Sequence, residues 1–373
     1  MNHVKNLVRP WLRALEPYPP GKPIDELERE YGVTDSIKLA SNENPLGPSP
    51  KALAALRAAV ADVHRYPDGS CYHLRRGLAR VLRVSPESLI FGNGSNEIIE
   101  LIVRTFLHAG EDAVMADQAF IIYRMLVQAQ GGKGIIVPLR NYTHDLEAMA
   151  EAVTPATRLV FLANPNNPTG TIVFRDAWRE FLAALPPDVV VVMDEAYAEY
   201  VEDLRYPDAL DDVGGERLLI VLRTFSKIYG LAGLRVGYGV AHPSIIDLLN
   251  RLRAPFNVNT LAQVAARAAL DDDEHVQRTR QVNREGMAYL REALTALGLE
   301  CVPSWANFIL VRVGNAARLY DALLRQGVIV RPVAVYGLPE HVRVTVGTRA
   351  ENERLIAALT RVRREDKERA GAL

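Results

Sequence analysis

Leu218-Leu219-Ile220-Val221-Leu222-Arg223-Thr224-Phe225-Ser226-Lys227 is the stretch on which the reading of this chain turns. Five aliphatic residues in a row read as a strand covered on both faces, and the run ends on small hydroxyl residues and a lysine. Arg235 follows eight residues later, across a segment that contains Gly230 and Gly233. Lysine is rarely placed at the edge of a core. Partial burial and a nearby cation both lower its pKa and make it a usable nucleophile. Taken alone, the segment reads more readily as a surface lysine on a strand-to-loop turn; the sequence upstream changes that.

Two further apolar runs end in polar loops. Arg158 to Ala163 leads into Asn164-Pro165-Asn166-Asn167-Pro168-Thr169-Gly170, where two prolines and a glycine fix a rigid turn that can aim an amide at a ligand oxygen. Val189 to Met193 leads into Asp194-Glu195-Ala196-Tyr197. A carboxylate at the end of such a strand stays ionised only with a cationic partner, unless Asp194 is a helix N-cap. A fourth segment, Gly92-Asn93-Gly94-Ser95-Asn96, precedes a helical stripe from Ile98 to Phe106. Its small residues let backbone N–H groups approach an anion at a helix start. Each feature alone has a plain structural reading. Together they describe one ligand: a phosphate met by the Gly94-to-Asn96 helix start, Ser226 and Arg235; a ring cation met by Asp194; a phenolic oxygen met by Asn167 and Tyr197; and an aldehyde met by Lys227. That ligand is pyridoxal 5′-phosphate, bound as a Schiff base.

The rest of the chain supplies a frame in which such loops converge. Strands are predicted at Ala113 to Met115, Gly134 to Pro138 and Val236 to Val240 besides the three runs above, and helices at Ile24 to Tyr31, Lys51 to Ala61 and Cys71 to Leu82. Strands alternating with helices imply a mostly parallel sheet with right-handed crossovers, whose ligands bind beyond the carboxyl ends of the strands. After Pro243 the texture changes. Helices at Ser244 to Arg253, Leu261 to Asp271 and Glu274 to Ala296 precede strands at Asn307 to Arg312, Val328 to Arg331 and His341 to Val346, the pattern of a smaller α+β domain. The predicted division is an amino-terminal arm at 1–45, a large α/β domain at 46–253 and a small domain at 254–373. The proline-rich loop from Leu39 to Pro50 is long enough to suggest function.

Composition removes several classes of function. A formal net charge of −1 offers nothing to nucleic acid. The two cysteines, Cys71 and Cys301, have no metal-ligand spacing and imply no disulfide framework, which suits the reducing cytoplasm. The histidines are scattered, so no metal site is predicted. No signal peptide and no run of about 18 apolar residues is seen.

In order and spacing, Asn-Pro-x-Asn-Pro-Thr-Gly, Asp-Glu-Ala-Tyr, Ser-Lys and an arginine eight residues on resemble the class I/II aminotransferases of PLP fold type I. Tyr18-Pro19-Pro20-Gly21-Lys22-Pro23, the Asn42-to-Gly47 run Asn-Glu-Asn-Pro-Leu-Gly, Arg65-Tyr66-Pro67-Asp68 and Arg343-Val344-Thr345-Val346-Gly347-Thr348 are similar to the histidinol-phosphate aminotransferases among them. The resemblance implies that Lys227 carries the cofactor and moves the substrate proton, that Asp194 pairs with the pyridinium, and that Asn167 and Tyr197 bond its phenolic oxygen. It implies that Ser95, Asn96, Thr224, Ser226 and Arg235 hold the phosphate. Phe120 stacks on the ring, where many relatives have tyrosine. It further implies a homodimer in which Tyr66 reaches the partner's cofactor, and small-molecule substrates: glutamate or 2-oxoglutarate held at Arg343, and a phosphorylated imidazole substrate held by Arg331 with Asn42 and Glu43 from the covering loop. Tyr123 and Trp305 are read as core packing. An aromatic-amino-acid aminotransferase and a PLP-dependent phospho-amino-acid decarboxylase are alternatives on the same scaffold.

Overall fold

A computed structural model describes residues 6–371. The first five residues of the expected arm and the last two of the expected small domain lie outside them. The strands are β1 (Ile37–Lys38), β2 (Leu89–Gly92), β3 (Asp112–Ala116), β4 (Lys133–Val137), β5 (Thr157–Ala163), β6 (Val190–Asp194), β7 (Leu218–Thr224), β8 (Gly237–Ala241), β9 (Glu300–Cys301), β10 (Phe308–Arg312), β11 (Val328–Ile329), β12 (Arg331–Val333) and β13 (Leu338–Thr345).

Seven of them form the central sheet, in the order β2-β8-β7-β6-β5-β3-β4. The β3, β4, β5, β6 and β7 pairings are parallel, while β8 runs against both of its neighbours. The continuous aliphatic runs lie at the centre because both faces are covered. In β5, Leu159, Phe161 and Ala163 join the core formed with helices Ser95–Phe106, Ile122–Gln130 and Pro243–Leu252, while Val160 and Leu162 join the core under Leu146–Glu151 and Arg175–Ala184. β6 alternates in the same way, with Val190 and Val192 on the first face and Val191 and Met193 on the second. The period of two carries Asp194 onto the first face, the side on which Phe161 and Tyr123 are buried.

The second sheet is antiparallel, in the order β12-β13-β10-β9. It packs with helices Asp273–Ala296, Ala316–Leu324 and Arg349–Gly371. The short parallel pair β1 and β11 ties residues 37–38 to this unit. Helix Thr260–Ala269 lies beyond the expected boundary at 253, yet its Ala262, Ala265, Ala266 and Ala269 pack with Leu74, Leu78 and Phe91 of the large unit. Asp273–Ala296 is the helix whose residues Met287, Leu290 and Leu294 enter the small core.

Candidate active site

The loops after β5, β6 and β7 meet the arm and the second sheet around a cavity of about 410 Å³. Ser95, Asn96, Phe120, Asn167, Asp194, Tyr197, Thr224, Ser226, Lys227, Arg235, Asn42, Glu43, Arg331 and Arg343 all line it. Tyr66 does not. It is 84% exposed and stacks on Phe256 with ring centroids 5.0 Å apart.

At one end of the cavity lies the start of helix Ser95–Phe106. Gly94 precedes it at φ 80°, and a Cβ there would lie 2.5 Å from the Arg235 guanidinium. Gly237 on β8 is under similar constraint, since a Cβ would lie 2.4 Å from the Ser95 amide nitrogen. Two glycines thus let β8 and Arg235 close onto the helix terminus. The open N–H groups of the first turn, the Thr224 and Ser226 side chains and Arg235 make a cradle for an anion.

Asp194, the last residue of β6, is 6% exposed. Its carboxylate accepts from Tyr123 Oη (2.6 Å) and the Ala196 amide (3.1 Å). Burial raises its pKa, and these hydrogen bonds oppose the rise. Tyr123 stacks on Phe161 at 4.8 Å, so the reading of core packing holds for its ring but misses its hydroxyl. A buried tyrosine hydroxyl needs a partner, which was the available signal; the partner lies 71 residues away in sequence.

Lys227 Nζ donates to the Ser41 carbonyl (3.1 Å) and stands 5.5 Å from the centre of the Tyr197 ring. Burial, then the Arg343 charge, pulls its pKa down to about 7. The amine is therefore substantially neutral near pH 7, the form that attacks a carbonyl. The Asn164–Gly170 turn is held by its own side chains. Asn164 bonds both backbone groups of Val173, and Asn166 Nδ2 donates to the Gln118 carbonyl and to Thr169. Asn167 Oδ1 accepts from Arg343, so its Nδ2 is left to donate elsewhere.

Arg343 and Arg331 face each other in the register of β13 and β12. Arg343 is 6% exposed and donates to Asn167 Oδ1 and the Ala40 carbonyl, while its Nε is buried without a partner. Arg331 donates to the Pro19 carbonyl (2.8 Å) and lies over the Tyr18 ring. These hydrogen-bond partners are neutral. Like charges directly opposite on adjacent strands repel, so the pair is suited to an anionic ligand.

Both named residues of the covering loop line the cavity and also bond to protein. Glu43 is ion-paired with Lys38 at 3.0 Å. Asn42, expected at a substrate, has its amide engaged by protein: Nδ2 donates to Tyr197 Oη (2.9 Å) and Oδ1 accepts from Thr345 Oγ1 (3.2 Å). Tyr18, from the quoted amino-terminal motif, also lines the cavity, as do Ser41 and Tyr336, which the sequence did not mark as site residues.

Residues 34–359 match the family described as aminotransferase class I and II. Histidinol-phosphate aminotransferase 1 of Nitrosococcus oceani is 52% identical over 355 residues, covering 95% of this chain and 96% of its own. The histidinol-phosphate aminotransferase of Moorella thermoacetica is 54% identical over 351 residues, 94% of this chain and 91% of its own. The crystal structure of histidinol-phosphate aminotransferase from Sinorhizobium meliloti in complex with pyridoxal-5′-phosphate superposes with a TM-score of 0.89 at 30% identity, covering 96% of this chain and 98% of that one. With its motifs gathered around one cavity, this chain belongs to the class I and II aminotransferases.

Proposed function

We propose that the chain is a pyridoxal 5′-phosphate-dependent transaminase of histidine biosynthesis. It exchanges the amino group between L-histidinol phosphate and 2-oxoglutarate, giving imidazole-acetol phosphate and L-glutamate, in two alternating half-reactions. The observation that carries the substrate is the opposed pair Arg331 and Arg343, with neutral hydrogen-bond partners, on the wall of the cavity that also holds Lys227 and Asp194. The identity to histidinol-phosphate aminotransferases over nearly the whole chain supports the same substrate, and the fold is PLP fold type I.

The residues present fit the cofactor. Asp194 is a buried carboxylate whose hydrogen-bond donors are neutral, so it suits a protonated ring nitrogen. The cradle at Ser95, Asn96, Thr224, Ser226 and Arg235 suits a phosphate, and Phe120 offers an aromatic face. When bound, the cofactor supplies an electron-poor ring that takes up the electron pair released at the substrate Cα. Lys227 would hold the cofactor through its aldehyde, and its free amine would take the substrate Cα proton and give it back. A pKa of about 7 suits both directions of transfer. Asp194 keeps the ring nitrogen protonated. Tyr197 and Asn167 Nδ2 donate to the ring oxygen. Arg343 grips the carboxylate of glutamate or 2-oxoglutarate in its planar fork, Arg331 takes the substrate phosphate, and Glu43 at the rim accepts from the imidazole.

Tyr66, exposed and outside its own chain's cavity, serves the phosphate of the partner in a homodimer. We divide the chain into an arm at 1–45, a large domain from 46 that continues through helix Thr260–Ala269, and a small domain beginning near Asp273. The enzyme is assigned to the cytoplasm, where its two unpaired cysteines stay reduced; among the described residues no helix is long and apolar enough to cross a membrane. The test is a half-reaction. L-histidinol phosphate added alone to the cofactor-loaded protein bleaches its visible absorbance, and 2-oxoglutarate restores it. Absorbance unchanged by histidinol phosphate would exclude the assignment.

A further inference from the structure

We propose that Asn42 is a positioning residue that sets the direction in which Tyr197 gives its proton, into the cavity rather than toward the protein. Asn42 is 1% exposed and sits at φ 54°, a left-handed conformation that asparagine tolerates better than most residues. Its backbone N–H donates to Thr345 Oγ1 (2.9 Å), and that hydroxyl spends its single proton on Asn42 Oδ1 (3.2 Å). This orientation gives the Thr345 hydroxyl an acceptor for its proton, which the reversed amide, offering Thr345 only N–H groups, would not. With Oδ1 on Thr345, Nδ2 is the atom 2.9 Å from Tyr197 Oη, and an amide nitrogen can only donate.

Tyr197 Oη therefore accepts from Asn42, and its own proton is left for the cavity that it lines. Asn307 Nδ2, donating to the Asn42 carbonyl (3.1 Å), holds the loop in place. The charged and titratable groups around Tyr197 include Arg343, Asp194, Tyr336, Lys227, Tyr123 and Tyr200. Burial pushes the Tyr197 hydroxyl up to about 12, so it keeps its proton near neutral pH. Through Thr345 at the end of β13, the second sheet thus reaches a residue of the loop that follows β6 in the first. The inference rests on the cofactor reading above: the acceptor of the Tyr197 proton is the ring oxygen, and a donor there favours the unprotonated form of the lysine-linked cofactor.

The experiment is a spectroscopic pH titration of that linkage in the holoenzyme. Asn42→Asp keeps shape and backbone preference but replaces the donor with an acceptor, so Tyr197 turns its proton to the protein. Its midpoint is expected to rise by about tenfold in proton affinity, the effect of one hydrogen bond to a charged oxygen, and to match Tyr197→Phe. The double variant should show no further shift. Shifts that add would mean that the new carboxylate acts through its own charge, and would overturn the proposal, as would an unshifted Asn42→Asp. Asn42→Gly accepts the same backbone and removes the amide; it should shift the midpoint in the same direction by less, and an unshifted midpoint counts against the proposal. A wild-type protein without the visible band fails the cofactor reading itself, and this inference with it.

Discussion

Arg331→Ala separates phosphate recognition from the rest of the reaction. Arg331 contributes a half-buried guanidinium with one neutral protein acceptor, the Pro19 carbonyl, and faces Arg343 across the strand pair. A hydrogen bond to a charged group contributes about 1.5–3 kcal/mol. Loss of one such contact to the substrate phosphate corresponds to roughly a 10- to 150-fold fall in kcat/KM for L-histidinol phosphate. Phenylalanine carries a carboxylate for Arg343 and no phosphate, so its kcat/KM should change by less than about threefold. The truncation also removes a like charge from the face of Arg343, so folding should not suffer. The assay is kcat/KM for both amino donors with 2-oxoglutarate in wild type and variant, with a thermal melt as control. An equal loss for both donors would take Arg331 out of the phosphate role and leave a general effect on the site.

Other consequences are independent of that comparison. Lys227→Ala should abolish both turnover and the visible absorbance of the bound cofactor. Because the Lys227 amine loses its proton near pH 7, the rate at which cofactor-free wild type captures pyridoxal 5′-phosphate should rise about tenfold per pH unit below 7 and level off above it; a flat profile from pH 5 to 8 would contradict the assigned nucleophile. Tyr123→Phe removes the 2.6 Å donor to Asp194 while keeping the ring, and should weaken cofactor retention by about tenfold or more, read as dissociation on dilution. Glu199 is partly exposed as a residue, but both its carboxylate oxygens are buried without a hydrogen-bond partner, and burial lifts its pKa from 4.5 to about 7. The folded protein therefore holds a proton there that the unfolded chain releases above pH 4.5, and stability falls as pH rises from about 4.5 to 7. Glu199→Gln should raise stability by up to about 3 kcal/mol at pH 8 and by little at pH 5; melts that shift equally at both values would refute this.

The parts of the fold legible in the sequence are those where local composition and tertiary position agree. β5, β6 and β7 read as strands because both faces are buried, so aliphatic residues run without interruption. β2 escaped notice: three apolar residues followed by Gly92-Asn93-Gly94 look like a loop, and the strand is stabilised by pairing with β8, far along the chain. The direction of β8 was equally hidden, since nothing local distinguishes an antiparallel insertion from its neighbours. The expected strand Val328 to Arg331 is divided, with Val328–Ile329 pairing β1 and Arg331–Val333 pairing β13. In the site, residues carried by strand-end motifs could be named from the sequence. Those defined by a distant partner could not. Tyr123 looks like core until Asp194 is placed beside it. Asn42 looks like a ligand-facing amide until Thr345, 303 residues away, is seen to hold its oxygen.

The proposed enzyme is a transaminase whose arginine pair would select a phosphorylated imidazole substrate. Its most direct test is kcat/KM for L-histidinol phosphate, phenylalanine, tyrosine and threonine phosphate, each with 2-oxoglutarate, on the purified holoenzyme. Histidinol phosphate should be the preferred donor, with 2-oxoglutarate converted to glutamate. A higher value for phenylalanine or tyrosine, or release of carbon dioxide from threonine phosphate, would contradict it.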